Sequence, residues 1–213
     1  WYRIDNQPPV YYDWQGSLNS GDSVRVHLND NQIFNVGYHT MRAWVDDTIT
    51  VNHVNFRDHE PYNDTVFSPF AVCDGPYNGV RTIGNGANDH FTSLDNCLYV
   101  LSRCGIDGPL TIKMPAGNYG ITKFPYIPGT SDTNRVTFEP ATPSAVVSFR
   151  RPHGGDGAIT WVPRLVDLQD ARGIHFRNIR FVNGLSSDNA CLVLAQLGEG
   201  STYCLFENCT FES

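Results

Sequence analysis

Charged and histidine side chains that could act on a substrate are concentrated between residues 150 and 180. One group lies in a glycine-rich segment and the other near two similar strand-like stretches: Arg150, Arg151, His153 and Asp156, then Asp167, His175, Arg177 and Arg180. Cleavage of a polysaccharide would need paired carboxylates, or an Arg or Lys base beside calcium-binding acids, on one face. Single outward charges more often serve only solvation, so we predict no catalytic residue among them.

Other common catalytic and ligand-binding motifs are absent from the sequence. It has no Gly-x-Ser-x-Gly, phosphate loop, His-Glu-x-x-His or Cys-x-x-Cys. The cluster of Asp58, His59, Glu60 and Asp64 lacks the fixed ligand spacing of an EF-hand and indicates a solvated loop. His39 has no second ligand at metal spacing and is predicted to be a hydrogen-bonded core histidine. We therefore expect neither a metal site nor a cofactor.

A repeated pattern indicates which elements position these side chains. The stretch Phe176-Arg177-Asn178-Ile179-Arg180-Phe181 matches Phe206-Glu207-Asn208-Cys209-Thr210-Phe211 at an offset of about thirty residues. One face of each short strand stays apolar while the other varies. This pattern is typical of a solenoid whose parallel strands stack about 4.8 Å apart.

Two residue types within the repeat have predicted structural roles. Asn178 and Asn208 are predicted to form an asparagine ladder, because an amide can both donate and accept hydrogen bonds along a stack. Cys204 and Cys209 take the positions of Ile174 and Ile179 and are predicted to be apolar core residues.

Composition limits the possible partners. The chain has 213 residues, 40% of them hydrophobic, and its 19 glycines and 13 prolines indicate frequent turns between short strands. The net charge of -7 argues against nucleic acid and anionic membranes as partners. No apolar stretch approaches the roughly eighteen residues of a membrane span, so no membrane insertion is expected.

Both ends of the sequence lie in strand-like stretches, and we expect the chain to be a piece of a longer protein.

The first of two expected domains covers residues 1–72. Ser23–Leu28 and Gly37–Val45 alternate between apolar and polar residues, which predicts half-buried antiparallel strands of a small sandwich. The second expected domain, residues 73–213, contains the repeat and is predicted to be the solenoid.

A single helix is predicted at residues 89–103, directly before the solenoid. Asn88 or Asp89 would be its N-cap and Gly105 its C-cap. Such a helix would cover the otherwise open first coil.

The six cysteines allow fifteen pairings. Cys73 and Cys104 flank the predicted helix, and a bond between them would contribute roughly 3–4 kcal/mol in the chain-entropy model. A disulfide at this pair and two free thiols both remain open from the sequence.

A family resemblance covers nearly the whole chain. Its first part rests on Trp14 to Ser23, Gly37 to Val45 and Glu60 to Thr65, and it resembles the later strands of CARDB-type immunoglobulin-like modules from large secreted Bacteroidota proteins. Its second part resembles the opening of the parallel β-helix that follows such modules, on these stretches: Cys73-Asp74-Gly75-Pro76, Thr82-Ile83-Gly84, Phe91 to Leu94, Cys104 to Pro109 and Pro115 to Tyr119. The first strands of the module are missing here.

The resemblance implies a mostly β protein with a partial immunoglobulin-like sandwich followed by a right-handed, pectin-lyase-like parallel β-helix and one N-terminal capping helix. It implies a secreted or cell-surface structural or adhesive protein, exported by the type IX system, with glycans, other surface proteins and the secretion machinery as partners. The alternative is a carbohydrate-active enzyme whose active site lies on later coils. An acidic cluster or an Arg/Lys cluster at matching positions of neighbouring coils would separate the two, and we expect neither here.

Three short stretches resemble the O-glycosylation sequon of exported Bacteroidota proteins, in which Asp precedes a hydroxyl residue and a β-branched residue. The candidate acceptors are Ser23, Thr48 and Thr65. Asp-Ser and Asp-Thr are also common turn pairs, so both interpretations remain open.

Overall fold

A computed structural model of the chain describes the following residues: 1–19, 21–28, 32–45, 48–51, 54–57, 64–120, 122–150, 164–182 and 193–212. The chain divides into two compact units, residues 1–72 and residues 73–213. Regular structure in both is mostly β, and the described residues contain one helix.

The described residues of the first unit form five strands, of which three make an antiparallel sheet in the order β1-β2-β5 and two make a hairpin. They are β1 (Tyr2–Ile4), β2 (Gly37–Trp44), β3 (Thr48–Val51), β4 (Val54–Arg57) and β5 (Thr65–Val72). Strand β2 was expected from its alternation and lies at the centre of the sheet. An immunoglobulin-like sandwich is not confirmed by these strands.

The strand predicted at Ser23–Leu28 is wrong, since this stretch is irregular in the structure. Val24 is 49% exposed and Val26 is 40% exposed. Alternation alone does not make a strand, because a strand also needs a neighbour to take its hydrogen bonds and an apolar surface to cover its inner face.

The second unit is a β-solenoid of about 4 turns built from parallel sheets. Its strands are β6 (Tyr77–Thr82), β7 (Ile106–Met114), β8 (Gly117–Tyr119), β9 (Thr122–Lys123), β10 (Val136–Pro140), β11 (Val147–Arg150), β12 (Arg164–Asp167), β13 (Ile174–Arg177), β14 (Arg180–Val182), β15 (Val193–Gln196), β16 (Leu205–Glu207) and β17 (Thr210–Glu212). The sheets have the orders β16-β13-β10-β7-β6, β17-β14-β11-β8 and β15-β12-β9. We call them the first, second and third sheets of the solenoid.

The repeat in the sequence corresponds to successive coils. Phe176 is in register with Phe206 in the first sheet, and Phe181 with Phe211 in the second. Their ring centroids are 5.2 and 5.0 Å apart. Because identical aromatic positions recur once per coil, their rings stack along the solenoid axis and fill its interior. The predicted stacking of Phe176 over Phe206 is confirmed.

Asn178 and Asn208 also occupy equivalent positions, between the first and second sheets, but they do not form the predicted ladder. Both side chains are exposed, and the hydrogen bonds of the described residues include none between them. Both residues have left-handed backbone, with φ of 57° and 51°. Asparagine tolerates this conformation better than most residues, so it recurs because the chain turns a corner there.

The helix α1 spans Leu94–Cys104 and connects the parallel neighbours β6 and β7. Gly105 caps its C-terminus with φ of 71° and donates its N–H to Leu101 O, as predicted. The predicted N-terminus is wrong. Ser93 is the N-cap, and its hydroxyl accepts a hydrogen bond from Asn96 N at 3.1 Å. Asp89 instead accepts from Gly86 N in a preceding turn.

A disulfide joins Cys73 to Cys104, the last residue of α1, across 31 positions of sequence. It therefore ties the end of the helix to the segment that enters β6. Cys97 is a free thiol in the buried face of the helix, where burial raises the pKa well above its usual range.

Replacing Cys73 and Cys104 together by serine is expected to lower the free energy of unfolding by roughly 3–4 kcal/mol, because the unfolded chain regains the freedom of a 31-residue loop. Denaturant unfolding with and without a reductant measures this. The reductant should lower the stability of the native chain and leave the double variant unchanged. Equal stability of the native chain in both conditions would contradict the prediction.

Candidate binding face on the solenoid

Four charged residues at matching positions of neighbouring coils form a row on the outer surface of the first sheet. They are Lys113 on β7, Glu139 on β10, Arg177 on β13 and Glu207 on β16, and we call them the ion-pair ladder. Strand register aligns Lys113 with Glu139 and Arg177 with Glu207. The row alternates basic and acidic residues, so it differs from the acidic or Arg/Lys cluster that would indicate an enzyme.

Adjacent members of the ladder alternate in sign and contact each other directly. Lys113 Nζ lies 2.6 Å from Glu139 Oε1, and Arg177 Nη1 donates to Glu139 Oε2 at 3.1 Å. Arg177 Nε donates to Glu207 Oε2 at 2.9 Å. Parallel strands hold their side chains about 4.8 Å apart, a spacing that like charges would oppose and alternating charges stabilise. The ladder is thus electrically neutral as a whole.

Both carboxylates of the ladder are held in the ionised state. Partial burial alone would raise the pKa of Glu139, but its hydrogen bonds and ion pairs with Lys113 and Arg177 outweigh burial, and the net pKa is lowered. The pKa of Glu207 is lowered first by its hydrogen bond from Arg177. Glu139 is the better shielded, with 14% of its side chain exposed against 43% for Glu207.

His175 lies beside the ladder on β13 and is almost fully buried. Its Nδ1 is 3.3 Å from the hydroxyl of Thr137. Its Nε2 is 3.0 Å from Glu207 Oε2 but makes no hydrogen bond, since the direction of that contact is unfavourable. Burial first and the charge of Arg177 second lower the pKa of His175 against the opposing effect of Glu207. His175 is therefore neutral at physiological pH.

A groove of about 420 Å³ lies at one side of the ladder. One part of its lining is polar and comes from Lys113, Glu139 and Asn178. The remainder comes from the last residue of β10 and the segment after it: Pro140, Ala141, Thr142, Pro143 and Ala145. The groove thus offers hydrogen-bond donors and acceptors on one side and small apolar groups on the other.

Chemically, this arrangement is suited to binding rather than to proton transfer. Hydrolysis of a glycosidic bond needs one carboxylic acid whose pKa is raised so that it can protonate the leaving group. Here both ladder carboxylates have lowered pKa values, so neither is the protonated acid that this reaction needs. The fixed charges can orient a polar ligand.

The charged residues singled out from the sequence are divided among different places. His175 and Arg177 belong to the ladder region. Arg180 pairs with Glu212 in the second sheet at 2.7 Å, and Asp167 pairs with Arg164 in the third sheet at 3.2 Å. Arg150 is exposed at the end of β11. Arg151, His153 and Asp156 lie outside the described residues.

Sequence reasoning missed Lys113, Glu139 and Glu207, although a signal for the two glutamates exists. Glu139 follows Phe138, Arg177 follows Phe176 and Glu207 follows Phe206, which are the stacked phenylalanines of the first sheet. The residue after each stacked ring therefore projects outward at the same height.

The remaining predicted positions can be placed individually. Ser23 and Thr65 are exposed, and the backbone of Thr48 begins β3. Asp58, His59 and Glu60 lie outside the described residues. Cys204 and Cys209 are half-buried on the last coil, and their Sγ atoms point to backbone oxygens of the preceding coil. Within the described part of the chain, no group of three or more His, Cys, Asp or Glu residues is placed to hold a metal ion.

Comparisons of the chain with protein families, with curated proteins and with solved structures gave no significant match. The resemblance to CARDB-type modules therefore rests on the quoted stretches of sequence alone. The described residues contain no helix long and apolar enough to cross a membrane.

Proposed function

We propose that this chain belongs to a secreted or cell-surface structural or adhesive protein in which the solenoid presents a rigid binding face and residues 1–72 act as an immunoglobulin-like spacer. The observation that carries this proposal is the neutral ion-pair ladder beside the groove of about 420 Å³. Its charges are fixed by their neighbours and stand on strands whose interior is filled with stacked rings. Such a surface is preorganised, so binding requires little ordering of side chains.

The disulfide supports an oxidising compartment, because such bonds persist mainly in exported proteins. The proposed ligands are glycans or other surface proteins, and the groove favours a glycan. Its lysine, glutamate and asparagine side chains supply the donors and acceptors that hydroxyl groups need. The alternative of a carbohydrate-active enzyme receives no support from the ladder, because both of its carboxylates are ionised.

Binding of the purified chain to a glycan array tests the proposal, with Asn178→Gly as the groove variant. Glycine suits the left-handed backbone at this position and removes only the amide that lines the groove. Loss of its hydrogen bonds is expected to weaken binding about fivefold. Asn208→Gly is the matched control, since Asn208 has the same conformation one coil away and does not line the groove.

The two variants separate a groove ligand from a general effect on the solenoid. Weaker binding by Asn178→Gly with unchanged binding by Asn208→Gly supports the groove as the binding site. Equal losses in both variants, or no retention of any glycan by the native chain, would contradict the proposal.

A further inference from the structure

His39, in the central strand of the first unit, is placed between two hydrogen-bond acceptors. Its Nδ1 lies 2.7 Å from the carboxylate oxygen Oδ2 of Asp5, and its Nε2 lies 2.7 Å from the backbone oxygen of Asn35. A neutral imidazole carries one N–H and can donate to only one of these oxygens. Two short contacts to acceptors are therefore satisfied only when both ring nitrogens carry a proton.

The surroundings of the ring also favour a positive charge. The ring centroid of Phe70 lies 5.3 Å from that of His39 in a stacked arrangement, and the centroid of Phe34 lies 5.6 Å away. The negative faces of aromatic rings attract a neighbouring cation. A half-buried imidazolium at this place has a carboxylate on one side and aromatic rings beside it.

Hydrogen bonds hold the carboxylate of Asp5 in position to pair with the positive charge of His39. Its Oδ1 accepts a hydrogen bond from Thr40 N at 2.8 Å, and its own N–H donates to Thr40 O at 2.8 Å. Asp5 follows β1 and has left-handed backbone with φ of 50°. The turn after β1 is thus attached to β2 through the residue next to His39.

We propose that His39 is an imidazolium in the folded protein and acts as a proton-dependent latch, which holds the turn at Asp5 and the segment at Asn35 onto strand β2. The latch is independent of the groove on the solenoid. It joins two segments that lie 30 positions apart in the sequence through a single ring.

The pH range of the latch follows from its two titratable members. Partial burial alone would lower the pKa of His39, but the hydrogen bonds to Asp5 and Asn35 and the charge of Asp5 raise it overall. Burial would raise the pKa of Asp5, but His39 and Thr40 lower it overall. The two aromatic rings beside the imidazole, Phe34 and Phe70, are uncharged.

The raised pKa of His39 and the lowered pKa of Asp5 define the pH range in which the latch stabilises the first unit. The contribution of His39 is complete below its unfolded pKa of about 6.5 and is lost as the pH rises through the higher folded value. The contribution of Asp5 is complete above its unfolded pKa of about 3.9 and is lost as the pH falls through the lower folded value. The latch is therefore fully closed between about pH 4 and pH 6.5.

Opening at higher pH should begin at Asn35. When His39 loses one proton, the remaining N–H is retained by the stronger acceptor, which is the carboxylate of Asp5. The unprotonated Nε2 then faces the backbone oxygen of Asn35, and the lone pairs of these two atoms repel each other. The segment leading into β2 is expected to separate from the ring while the turn at Asp5 stays attached.

Nitrogen NMR of the imidazole rings across pH tests this proposal on the full chain. At pH 6 both ring nitrogens of His39 should be protonated. His90 and His175 provide internal references, because burial lowers their pKa values and their rings should lose a proton at a lower pH than His39 does. A single neutral tautomer of His39 at pH 6 would overturn the proposal.

Asp5→Asn tests the source of the charge. Asparagine tolerates the left-handed backbone at this position and can still accept a hydrogen bond from Thr40 N. The pH at the midpoint of the His39 titration should fall by about one unit. Asp13→Asn is the control, since Asp13 contacts Tyr11 and Gln15 instead, and it should leave the midpoint unchanged. An unchanged midpoint in Asp5→Asn overturns the proposal.

A second measurement on the native chain does not depend on any variant. The carbonyl carbon resonance of Asn35 should shift as His39 deprotonates, because its oxygen then loses the hydrogen bond from Nε2. A resonance that stays constant through the titration of His39 would also overturn the latch.

Discussion

Replacing Phe176 by alanine is expected to lower the free energy of unfolding of the solenoid by about 3–5 kcal/mol. Phe176 is fully buried, and its ring centroid lies between 5.1 and 6.0 Å from the centroids of five other rings: Phe124, Phe138, Phe149, Phe181 and Phe206. Strands stacked at a fixed spacing cannot close around the missing ring, so a cavity remains. Denaturant unfolding followed by circular dichroism measures the loss.

Phe211→Ala is the matched control for this prediction. Phe211 occupies the same kind of stacking position in the second sheet and contacts Phe181 at 5.0 Å, but its side chain is 51% exposed. Its removal leaves an open surface instead of a closed cavity, and we expect a loss of roughly 1 kcal/mol. Equal losses in the two variants would show that Phe176 does not occupy the centre of a rigid stack.

The solenoid could be predicted from the sequence because two strands of one coil, at Phe176 and Phe181, recur in the next coil at the same offset. Phe176 and Phe206 are thirty positions apart, and the strands that contain them are in register. The earlier coils could not be found in the same way, since Phe138 aligns with Phe176 at an offset of 38 positions and Ile112 with Phe138 at an offset of 26. Turns of different length between the sheets remove the periodicity while leaving the stacking intact.

The unequal lengths of the coils also explain why the binding face was not predicted from the sequence. The ion-pair ladder depends on four residues whose spacing in the sequence differs from coil to coil, although their spacing in space is constant. The sequence pattern around Arg177 and Arg180 indicates only outward, solvated charges. The partners of Arg177, which are Glu139 and Glu207, become evident only when each is recognised as the residue after a stacked phenylalanine.

The helix boundary and the asparagine ladder were predicted wrongly because local patterns had two interpretations. Asp89 and Ser93 are both good N-caps, and the bond from Gly86 to Asp89 decided between them by forming a separate turn. The amide of Asn178 predicts a hydrogen-bonded ladder, whereas its exposed side chain and positive φ show that it lies at a corner of the coil. Backbone conformation at a turn is not visible in a pattern of apolar and polar residues.

The last prediction concerns the interior face of α1. Leu98→Asp is expected to lower the free energy of unfolding by roughly 4 kcal/mol or more, because it replaces buried apolar volume by a charge without a partner. Leu98 is 4% exposed and lies among other buried residues of the helix: Leu94, Cys97, Val100 and Leu101. Thermal and denaturant unfolding measure the change, and Leu98→Met, which conserves volume, should cost less than about 1.5 kcal/mol.

The pH dependence of Leu98→Asp identifies the buried charge as the cause. Burial raises the folded pKa of the new carboxyl above its unfolded value of about 3.9. Its electrostatic cost is therefore small below pH 4, grows as the pH rises, and is complete above the folded pKa. The difference in stability from the native chain should thus be larger at pH 7 than at pH 4. A difference that is negligible at both values would mean that the apolar face of the helix does not pack against the solenoid, and the helix would then not protect its first coil.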